Sequence, residues 1–167
     1  MSARRLYSLL ALAAVIGACA KKAEETAAAP PAVDSAAVRA AIADAWQRWI
    51  AADTAGNVAA LAAMWGDSAR ADIRGMPPIM GRAAAQAAFQ TMFKDGKVNA
   101  ESVTPDMTIP ISNDLVYQNG NYTETVTTKG KTATDYGRYA LALHKDTDGQ
   151  WRWAYVMAFA DSTVPKK

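Results

Sequence analysis

The sequence predicts a mixed α+β domain in which three helices are followed by a meander of long strands. Up to residue 94, large apolar residues recur at three- and four-residue steps, as they do on one face of a helix. From residue 97 onward, β-branched and aromatic residues dominate between short turn segments, as they do in strands. Helices first and strands afterwards indicate the α+β class. Four long strands must twist and coil, so we expect the sheet to curve around the first helix and leave a conical cavity at one end.

The first helix is predicted to begin at a cap formed by Asp34 or Ser35 and to end near Asp53. Its buried face carries large apolar residues at helical spacing, namely Val38, Ile42, Trp46, Trp49 and Ile50. A second, shorter helix capped by Asn57 and a third helix over 82–94 follow. We expect all three helices to pack on one face of the sheet.

A short strand is predicted at 69–73, between the second and third helices. Four long strands follow, separated by turns rich in Gly, Asn, Asp and Ser, at 97–111, 115–128, 132–146 and 150–160. Short connections between long strands indicate antiparallel hairpins, so the sheet is predicted to be antiparallel and strongly curved. The folded domain is therefore expected over 34–162, with a disordered tail at 163–167.

Residues 1–18 have the layout of a signal peptide, with basic residues first, then an apolar stretch too short to span a bilayer, then small residues. Ile-Gly-Ala immediately before Cys19 resembles the bacterial lipobox, in which the cysteine thiol receives the lipid. A plain signal peptide beside an incidental cysteine is the alternative. On the lipobox interpretation the protein is exported to the cell envelope and attached to a membrane through lipid on Cys19. Alanine rather than aspartate after this cysteine favours the outer membrane, facing the periplasm.

Residues 19–33 are small and polar and include two prolines, so we expect a flexible tether between the lipid and the domain. Although 51% of the chain counts as hydrophobic, 38 of its 167 residues are alanine, so the chain is not unusually apolar. The net charge of +2 comes from Arg4 and Arg5, which leave with the signal peptide. The mature chain therefore has no excess of charge that would favour nucleic acid.

The chain offers few residues for metal or cofactor chemistry. A single Cys and a single His leave no disulfide framework and no Cys/His metal site. The sequence also contains no glycine-rich phosphate-binding loop. We therefore expect no metal, no cofactor and no nucleic-acid partner.

Several short motifs occur in a characteristic order along the domain. Beginning with two tryptophans of the first helix, they are Trp46 and Trp49, Leu61-Ala-Ala-Met-Trp-Gly-Asp-Ser-Ala69, Gly81-Arg-Ala-Ala84, Gly137-Arg-Tyr139 and Asp148-Gly-Gln-Trp-Arg-Trp153. In this order and spacing they resemble the SnoaL-like branch of the nuclear transport factor 2-like superfamily. The motifs are most similar to a bacterial subfamily of unknown function, the domain of unknown function 4440 type. The resemblance covers residues 38–160.

The resemblance implies a cone-shaped α+β fold of the kind also called cystatin-like, often dimeric, with a pocket between the sheet and the helices. The superfamily includes isomerases, dehydratases, hydrolases and cyclases as well as non-catalytic binding domains. The fold alone therefore does not determine the function.

Three residues are candidates for acid–base catalysis, namely Asp72, Tyr122 and Glu124. Asp72 precedes Ile73 on the short strand, so it points away from the face that Ile73 occupies unless the strand bulges. Tyr122 and Glu124 share one face of the second long strand. The only histidine, His144, falls on the face opposite the large apolar residues of its strand, and we expect it at the surface or at an interface.

The last strand alternates large side chains with small ones, and we expect its large face to pack against the helices. A pocket with an apolar interior and a polar rim is predicted to be lined by Trp46, Trp65, Tyr139, Trp153, Tyr155 and Met157. The alternative is that these side chains simply fill the core. The small opposite face is a possible dimer surface.

Two functions are compatible with these residues. The first is a lipid-anchored, non-catalytic domain that binds a small apolar ligand or a protein partner in the cell envelope. The second is an enzyme of the isomerase, dehydratase or hydrolase kind that uses Asp72 or Glu124 with a tyrosine. A third hypothesis is a domain that mainly forms homodimers as a scaffold.

Overall fold

The computed structural model describes residues 32–166, so the predicted signal peptide, Cys19 and most of the tether lie outside the described residues. The described part contains three helices, α1 (Ser35–Thr54), α2 (Val58–Ala63) and α3 (Gly81–Asp95). Its six strands are β1 (Trp65–Ile73), β2 (Ile79–Met80), β3 (Gly96–Pro110), β4 (Leu115–Thr128), β5 (Lys131–Lys145) and β6 (Trp151–Pro165). The predicted α+β class is thereby confirmed.

Side-chain caps begin the first two helices, as their sequences predict. The Asp34 carboxylate accepts a hydrogen bond from the backbone N–H of Ala37 at 3.0 Å, and the Asn57 side chain accepts one from Ala60 at 3.1 Å. Each bond satisfies a backbone donor that the first turn leaves without an intrahelical partner. The cap of α1 starts a helix whose face from Val38 to Ala52 is buried against the sheet.

The six strands form one sheet in the order β2-β1-β6-β5-β4-β3. All neighbouring pairs are antiparallel except β1 and β6, which are parallel. The long antiparallel strands curve around α1, and the core lies between them. The largest fully buried side chains belong to both layers and are Ile42, Leu61, Val116, Leu141, Leu143 and Trp153.

β3 contains a bulge next to Pro105, which has no backbone N–H to donate to a neighbouring strand. Pro105 pairs with Gly120 and Met107 with Asn119, so Asp106 is an extra residue without a partner. A Cβ atom at Gly120 would lie 2.3 Å from the carbonyl oxygen of Thr104. Glycine is therefore required at this position for the two strands to approach.

A second bulge, at Ala154 in β6, changes which large side chains face the helices. Leu143 pairs with Trp153 and Ala142 with Tyr155, so Ala154 is inserted between them. Trp153 faces the core, and the next inward residue is Val156 rather than Tyr155. The continuous large face predicted for the last strand is therefore wrong beyond Trp153, because one extra residue moves Tyr155, Met157 and Phe159 to the opposite face.

The last strand is also longer than its sequence predicts. Residues 162–165 pair with β5, from Ser162 opposite Tyr136 to Pro165 opposite Ala133. The predicted disordered tail at 163–167 is thus wrong for its first three residues. These exposed residues are ordered because the neighbouring strand supplies backbone partners that no sequence pattern reveals.

Candidate functional site

A cavity of about 310 Å³ lies between the concave face of the sheet and helices α1 and α3. Most of its lining is apolar, with Met76, Ile79, Val103, Leu141, Val156 and Ala158 among the aliphatic members. Four aromatic side chains that line it also contact one another, and we call them the aromatic wall: Trp46, Trp49, Phe89 and Trp153. A cavity of this size and composition suits a small, largely apolar molecule.

The rings of the aromatic wall contact one another. The centroid of Trp153 lies 5.2 Å from that of Trp46 and 5.7 Å from that of Trp49, and Trp49 lies 5.8 Å from Phe89. These are ordinary distances for tilted and edge-to-face aromatic pairs. The contacts hold the rings in place before any ligand binds.

Buried Gln118 orients two of the cavity residues, Trp46 of the aromatic wall and Tyr139. Its Oε1 accepts hydrogen bonds from Trp46 Nε1 at 2.6 Å and from the Tyr139 hydroxyl at 3.1 Å. Its Nε2 donates to the Thr108 hydroxyl at 2.8 Å. Since both polar atoms of this amide group are satisfied, Gln118 has a structural role in the wall of the cavity.

Three carboxyl groups also line the cavity, and we call Asp53, Glu101 and Glu124 the carboxyl cluster. Asp53 lies in the last turn of α1 and is only 3% exposed. Glu101 on β3 pairs directly with Glu124 on β4, so the two side chains share one face of the sheet. Trp49 Nε1 donates a hydrogen bond to Glu101 Oε1 at 3.3 Å, which joins the carboxyl cluster to the aromatic wall.

The protein environment raises the pKa of every member of the carboxyl cluster. Burial, followed by the negative charges of Asp53 and Glu124, raises the pKa of Glu101 to about 8. Burial and the charges of Asp53 and Asp135 raise the pKa of Glu124 to about 7. Burial raises the pKa of Asp53 to about 6, against the opposing effect of a hydrogen bond with Glu101. Near neutral pH the cluster therefore contains both an ionised carboxylate and a protonated carboxyl group.

Asp53 and Glu101 lie close enough for one carboxyl group to donate a hydrogen bond to the other. This interaction lowers the pKa of Asp53 and raises that of Glu101, so the proton belongs to Glu101 when Asp53 is ionised. Glu101 Oε2 is buried and receives no hydrogen bond from an N–H or O–H group within residues 32–166. An ionised Glu101 would leave this oxygen without a donor, whereas a protonated one satisfies it by donating.

Tyr122 lies beside the carboxyl cluster and lines the cavity. It pairs with Gly137 on β5, where a Cβ atom would lie 2.5 Å from the Tyr122 ring. The missing side chain at Gly137 thus provides the space that the ring occupies. Burial, and then the charge of Glu124, raises the pKa of Tyr122 to about 12, so its hydroxyl group keeps its proton at neutral pH.

The structure brings together six of the nine predicted catalytic or pocket residues. Those that line the cavity are Trp46, Trp65, Tyr122, Glu124, Tyr139 and Trp153. Tyr155 and Met157 do not line it, because the bulge at Ala154 turns them to the convex face of the sheet. Asp72 lies on that face too, paired with Met157 in register. His144 is half-exposed and lies 3.2 Å from Asp146.

Asp72 has hydrogen-bond partners on the convex face that explain its position without any role in the cavity. Its carboxylate accepts two hydrogen bonds from Arg70 at 2.8 Å and one from the Tyr155 hydroxyl at 3.1 Å. The bonds from Arg70, more than that from Tyr155, hold the pKa of Asp72 below its usual value. Asp72 is therefore a permanently charged group of the outer face and not an acid or base of the cavity.

Asp53 and Glu101 were not recognised from the sequence as site residues. A signal existed for Asp53, because it follows Trp49 by four residues and so continues the buried face of α1. An acidic residue in an apolar stripe requires an explanation. Glu101 carries no comparable signal, since its position opposite Glu124 depends on the β3–β4 register and on a further register shift between Val98 and Ala100.

Within residues 32–166, no group of three or more His, Cys, Asp or Glu side chains has the geometry to hold a metal ion. No helix of that part of the chain combines the length and apolar character needed to cross a membrane.

The curved sheet, the packed helices and the cavity between them define a cone-shaped α+β protein with a pocket of a size that suits a small molecule. The SnoaL-like domain family matches residues 34–156, and the chain belongs to this family. The predicted membership of the SnoaL-like branch is thereby confirmed. No curated protein sequence matches the chain significantly.

Several solved structures share the fold at low sequence identity. A ketosteroid isomerase-like protein from Erwinia carotovora atroseptica is 18% identical, with a TM-score of 0.66 over 74% of this chain and 95% of that one. A hexachlorocyclohexane dehydrochlorinase from Novosphingobium barchaimii is 18% identical, with a TM-score of 0.68 over 78% and 91%. A conserved protein from Planctomyces limnophilus is 20% identical, with a TM-score of 0.68 over 78% and 99%. At these identities the similarity establishes the fold alone.

Proposed function

We propose that this protein is an acid–base enzyme that moves a proton on a small, largely apolar molecule, as isomerases and dehydratases do. The observation that carries the proposal is the carboxyl cluster at one side of an otherwise apolar cavity, with pKa values of about 6, 7 and 8. Acid–base groups work best when their pKa lies near the working pH. Buried carboxyl groups with shifted pKa values in a cavity are a common mark of an active site.

Each member of the site has a chemical role in this proposal. Asp53 is ionised at neutral pH and acts as the base that removes a proton from carbon. Glu101 is protonated and returns a proton to another atom of the substrate, at a second carbon in an isomerisation or at the leaving group in an elimination. Tyr122 donates a hydrogen bond to the negative charge that develops on the substrate. Glu124 exchanges protons with Glu101, its neighbour across the strand pair.

The family supports this proposal without identifying the reaction. Among the proteins of similar fold, one is a ketosteroid isomerase-like protein and another is a dehydrochlorinase. Both names denote proton removal from carbon. The fold also carries many chemistries, so the substrate must be found by experiment.

A non-catalytic role in binding a small apolar ligand or a protein partner is the second candidate. It is favoured by the apolar lining of the cavity and by the ring contacts that preform the aromatic wall. On this alternative the carboxyl cluster contributes only to the recognition of the ligand.

Proton exchange distinguishes the two candidates. We expect the protein in D₂O to exchange the α-hydrogens of small cyclic ketones, observed by NMR, and D53N to lose about 100-fold or more of that rate. The matched control is D72N, which removes a carboxylate on the convex face and should retain the full rate. Exchange no faster than in buffer, together with a ligand retained in native mass spectrometry, would favour binding alone.

We also propose that the protein is exported and attached to the outer membrane through lipid on Cys19, facing the periplasm. The support is the signal-like residues 1–18 and the lipobox-like sequence that ends at Cys19. C19S is expected to leave the membrane fraction and to lose metabolic labelling with a fatty acid. Unchanged partitioning of C19S would contradict the proposal. The assignment to the subfamily of unknown function rests on the sequence motifs and is likewise proposed.

A further inference from the structure

We propose that the molecule bound in this cavity is an organic cation, an amine or quaternary ammonium compound. Its apolar body would lie against the aromatic wall, and its positive charge would lie at the carboxyl cluster. This inference rests on the proposed function, because it concerns the same cavity, and it adds the charge of the ligand.

The first support is the charge of the cavity lining. Among the described residues that line the cavity, three have carboxyl side chains and none is Lys, Arg or His. Three arginines of the sheet have other partners, since Arg70 binds Asp72, Arg138 binds Asp161 and Arg152 binds Asp146 and Asp148. The carboxyl cluster therefore has no cation of the protein within the cavity to balance it.

The second support is that Asp53 lacks a donor of its own. Its side chain lines the cavity and the residue is only 3% exposed. Within residues 32–166 its carboxylate has only the carboxyl group of Glu101 as a hydrogen-bond partner. Buried carboxylates in proteins usually receive several hydrogen bonds or pair with a cation. A protonated amine would supply both the donors and the charge, and a quaternary ammonium group would supply the charge alone.

The third support is the position of the aromatic wall. Trp49 has its Nε1 bonded to Glu101, while its ring lies 5.7 Å from Trp153 and 5.8 Å from Phe89. The aromatic rings and the carboxylates thus border the same space. Cations are attracted to the faces of aromatic rings within about 6 Å, and most strongly to Trp. The combination of an aromatic enclosure and carboxylates suits a cation with an apolar body.

Other ligand charges fit less well. An anion would add negative charge to a cavity that already contains three carboxyl groups. A neutral apolar molecule would exclude water from these groups and leave Asp53 without solvation or partner. Only a cation both fills the cavity and stabilises the ionised form of the cluster.

The pH dependence of binding follows from the groups that face the cluster. They are Asp53 on α1, Glu101 on β3, Tyr122 and Glu124 on β4, Tyr139 and Asp135 on β5, and the uncharged Ala88, Phe89 and Met92 on α3. A bound cation favours the ionised carboxylates, so binding should release protons near neutral pH. It should also strengthen as the pH rises from 5 to 8.

A pair of isosteric probes tests the inference. Phenyltrimethylammonium and tert-butylbenzene have the same shape and differ in charge. By tryptophan fluorescence on the wild-type protein, we expect the affinity for the cation to rise about tenfold or more between pH 5 and pH 8. We expect the affinity for tert-butylbenzene to stay nearly constant. Calorimetry at pH 7 in two buffers of different ionisation enthalpy should show proton release with the cation alone.

Variants and outcomes separate this inference from the proposed function. E124Q should reduce the pH-dependent gain for the cation, and D72N, a matched change outside the cavity, should leave it intact. If tert-butylbenzene binds at pH 8 and the cation does not, the cavity is a site for neutral molecules and this inference is overturned, while the proposed function stands. If neither probe binds, this inference is overturned, while the ketone-exchange experiment decides the proposed function separately. Cation binding without pH dependence or proton release would also overturn the inference.

Discussion

Glu101 and Glu124 face each other across the β3–β4 pair, where two like charges repel, and Asp53 adds a third carboxyl group beside them. The folded protein reduces this repulsion by retaining protons that the unfolded chain would release. A carboxyl group whose pKa is higher in the folded state stabilises the fold at low pH, and that stability is lost as the pH rises.

For Glu101 the pH window is set by its ordinary pKa of 4.5 and its folded value of about 8. The contribution of protonated Glu101 to the free energy of unfolding should be complete below pH 4.5 and should decline as the pH rises to 8. E101Q keeps the shape and stays uncharged, so we expect its free energy of unfolding to exceed that of wild type by about 1–4 kcal/mol at pH 8. At pH 4.5 we expect little difference.

Urea denaturation at the two pH values measures the difference in the free energy of unfolding between E101Q and wild type. D67N, which alters an exposed carboxylate of β1, should leave the pH dependence unaltered and serves as the control. If E101Q were no more stable than wild type at pH 8, Glu101 would be ionised at little cost in the folded protein.

At the scale of single elements, pairing between strands decides what each side chain does. Tyr122 reaches the cavity because Gly137 on the next strand has no side chain. Tyr155 and Met157 leave the cavity because of one extra residue, Ala154. Neither fact can be deduced from the alternation of residues along one strand, since register and bulges are properties of two strands.

We expect G137A to destabilise the protein by about 2–3 kcal/mol and to displace Tyr122. The new Cβ atom would lie 2.5 Å from the Tyr122 ring and 2.5 Å from the carbonyl oxygen of Phe159, so both strands must shift. Thermal denaturation and the proton-exchange rate measure the two effects.

G130A is the matched control for G137A. Gly130 has a φ of 77°, and a Cβ atom added there would meet no other atom within 4 Å, so only the backbone conformation opposes alanine. We expect a loss of about 1 kcal/mol and normal exchange activity for G130A. Equal losses of stability and of exchange rate in the two variants would indicate that Tyr122 does not depend on the space left by Gly137.

At the scale of the whole molecule, the sheet has two faces with different roles. The concave face carries the core and the cavity. On the convex face, exposed large apolar side chains surround the small residues Ala140 and Ala142. The exposed side chains are Met107, Ile109 and Met157. Exposed apolar patches of this kind often mark an interface between proteins. We therefore propose that two copies of the chain associate through the convex face.

We expect wild-type protein to sediment as a homodimer and M157E to sediment as a monomer, because a charge would be buried in the interface without a partner. M92E introduces the same charge at another exposed methionine, on α3 and so on the helix side of the sheet, and should remain dimeric. Analytical ultracentrifugation at several concentrations distinguishes these states. A wild-type protein that stays monomeric at high concentration would contradict both the dimer and the scaffold hypothesis.

The sequence by itself determined the helices, most of the strands and the family. Helical spacing and caps place α1 within one residue and the start of α2, and the turns separate the four long strands, because these signals are local in the chain. Such local signals identify residues within one segment but not their contacts with other segments. Glu124 and Tyr122 could be named as candidates from one strand, but not their partners.

Only the tertiary structure decided the composition of the site. The carboxyl cluster combines the end of a helix with two strands, and its members lie 48 and 71 residues beyond Asp53 in the chain. Their proximity depends on the β3–β4 register and on the packing of α1 against the sheet. The shifted pKa values follow from that proximity and from burial, which are properties of the folded chain and not of any single segment.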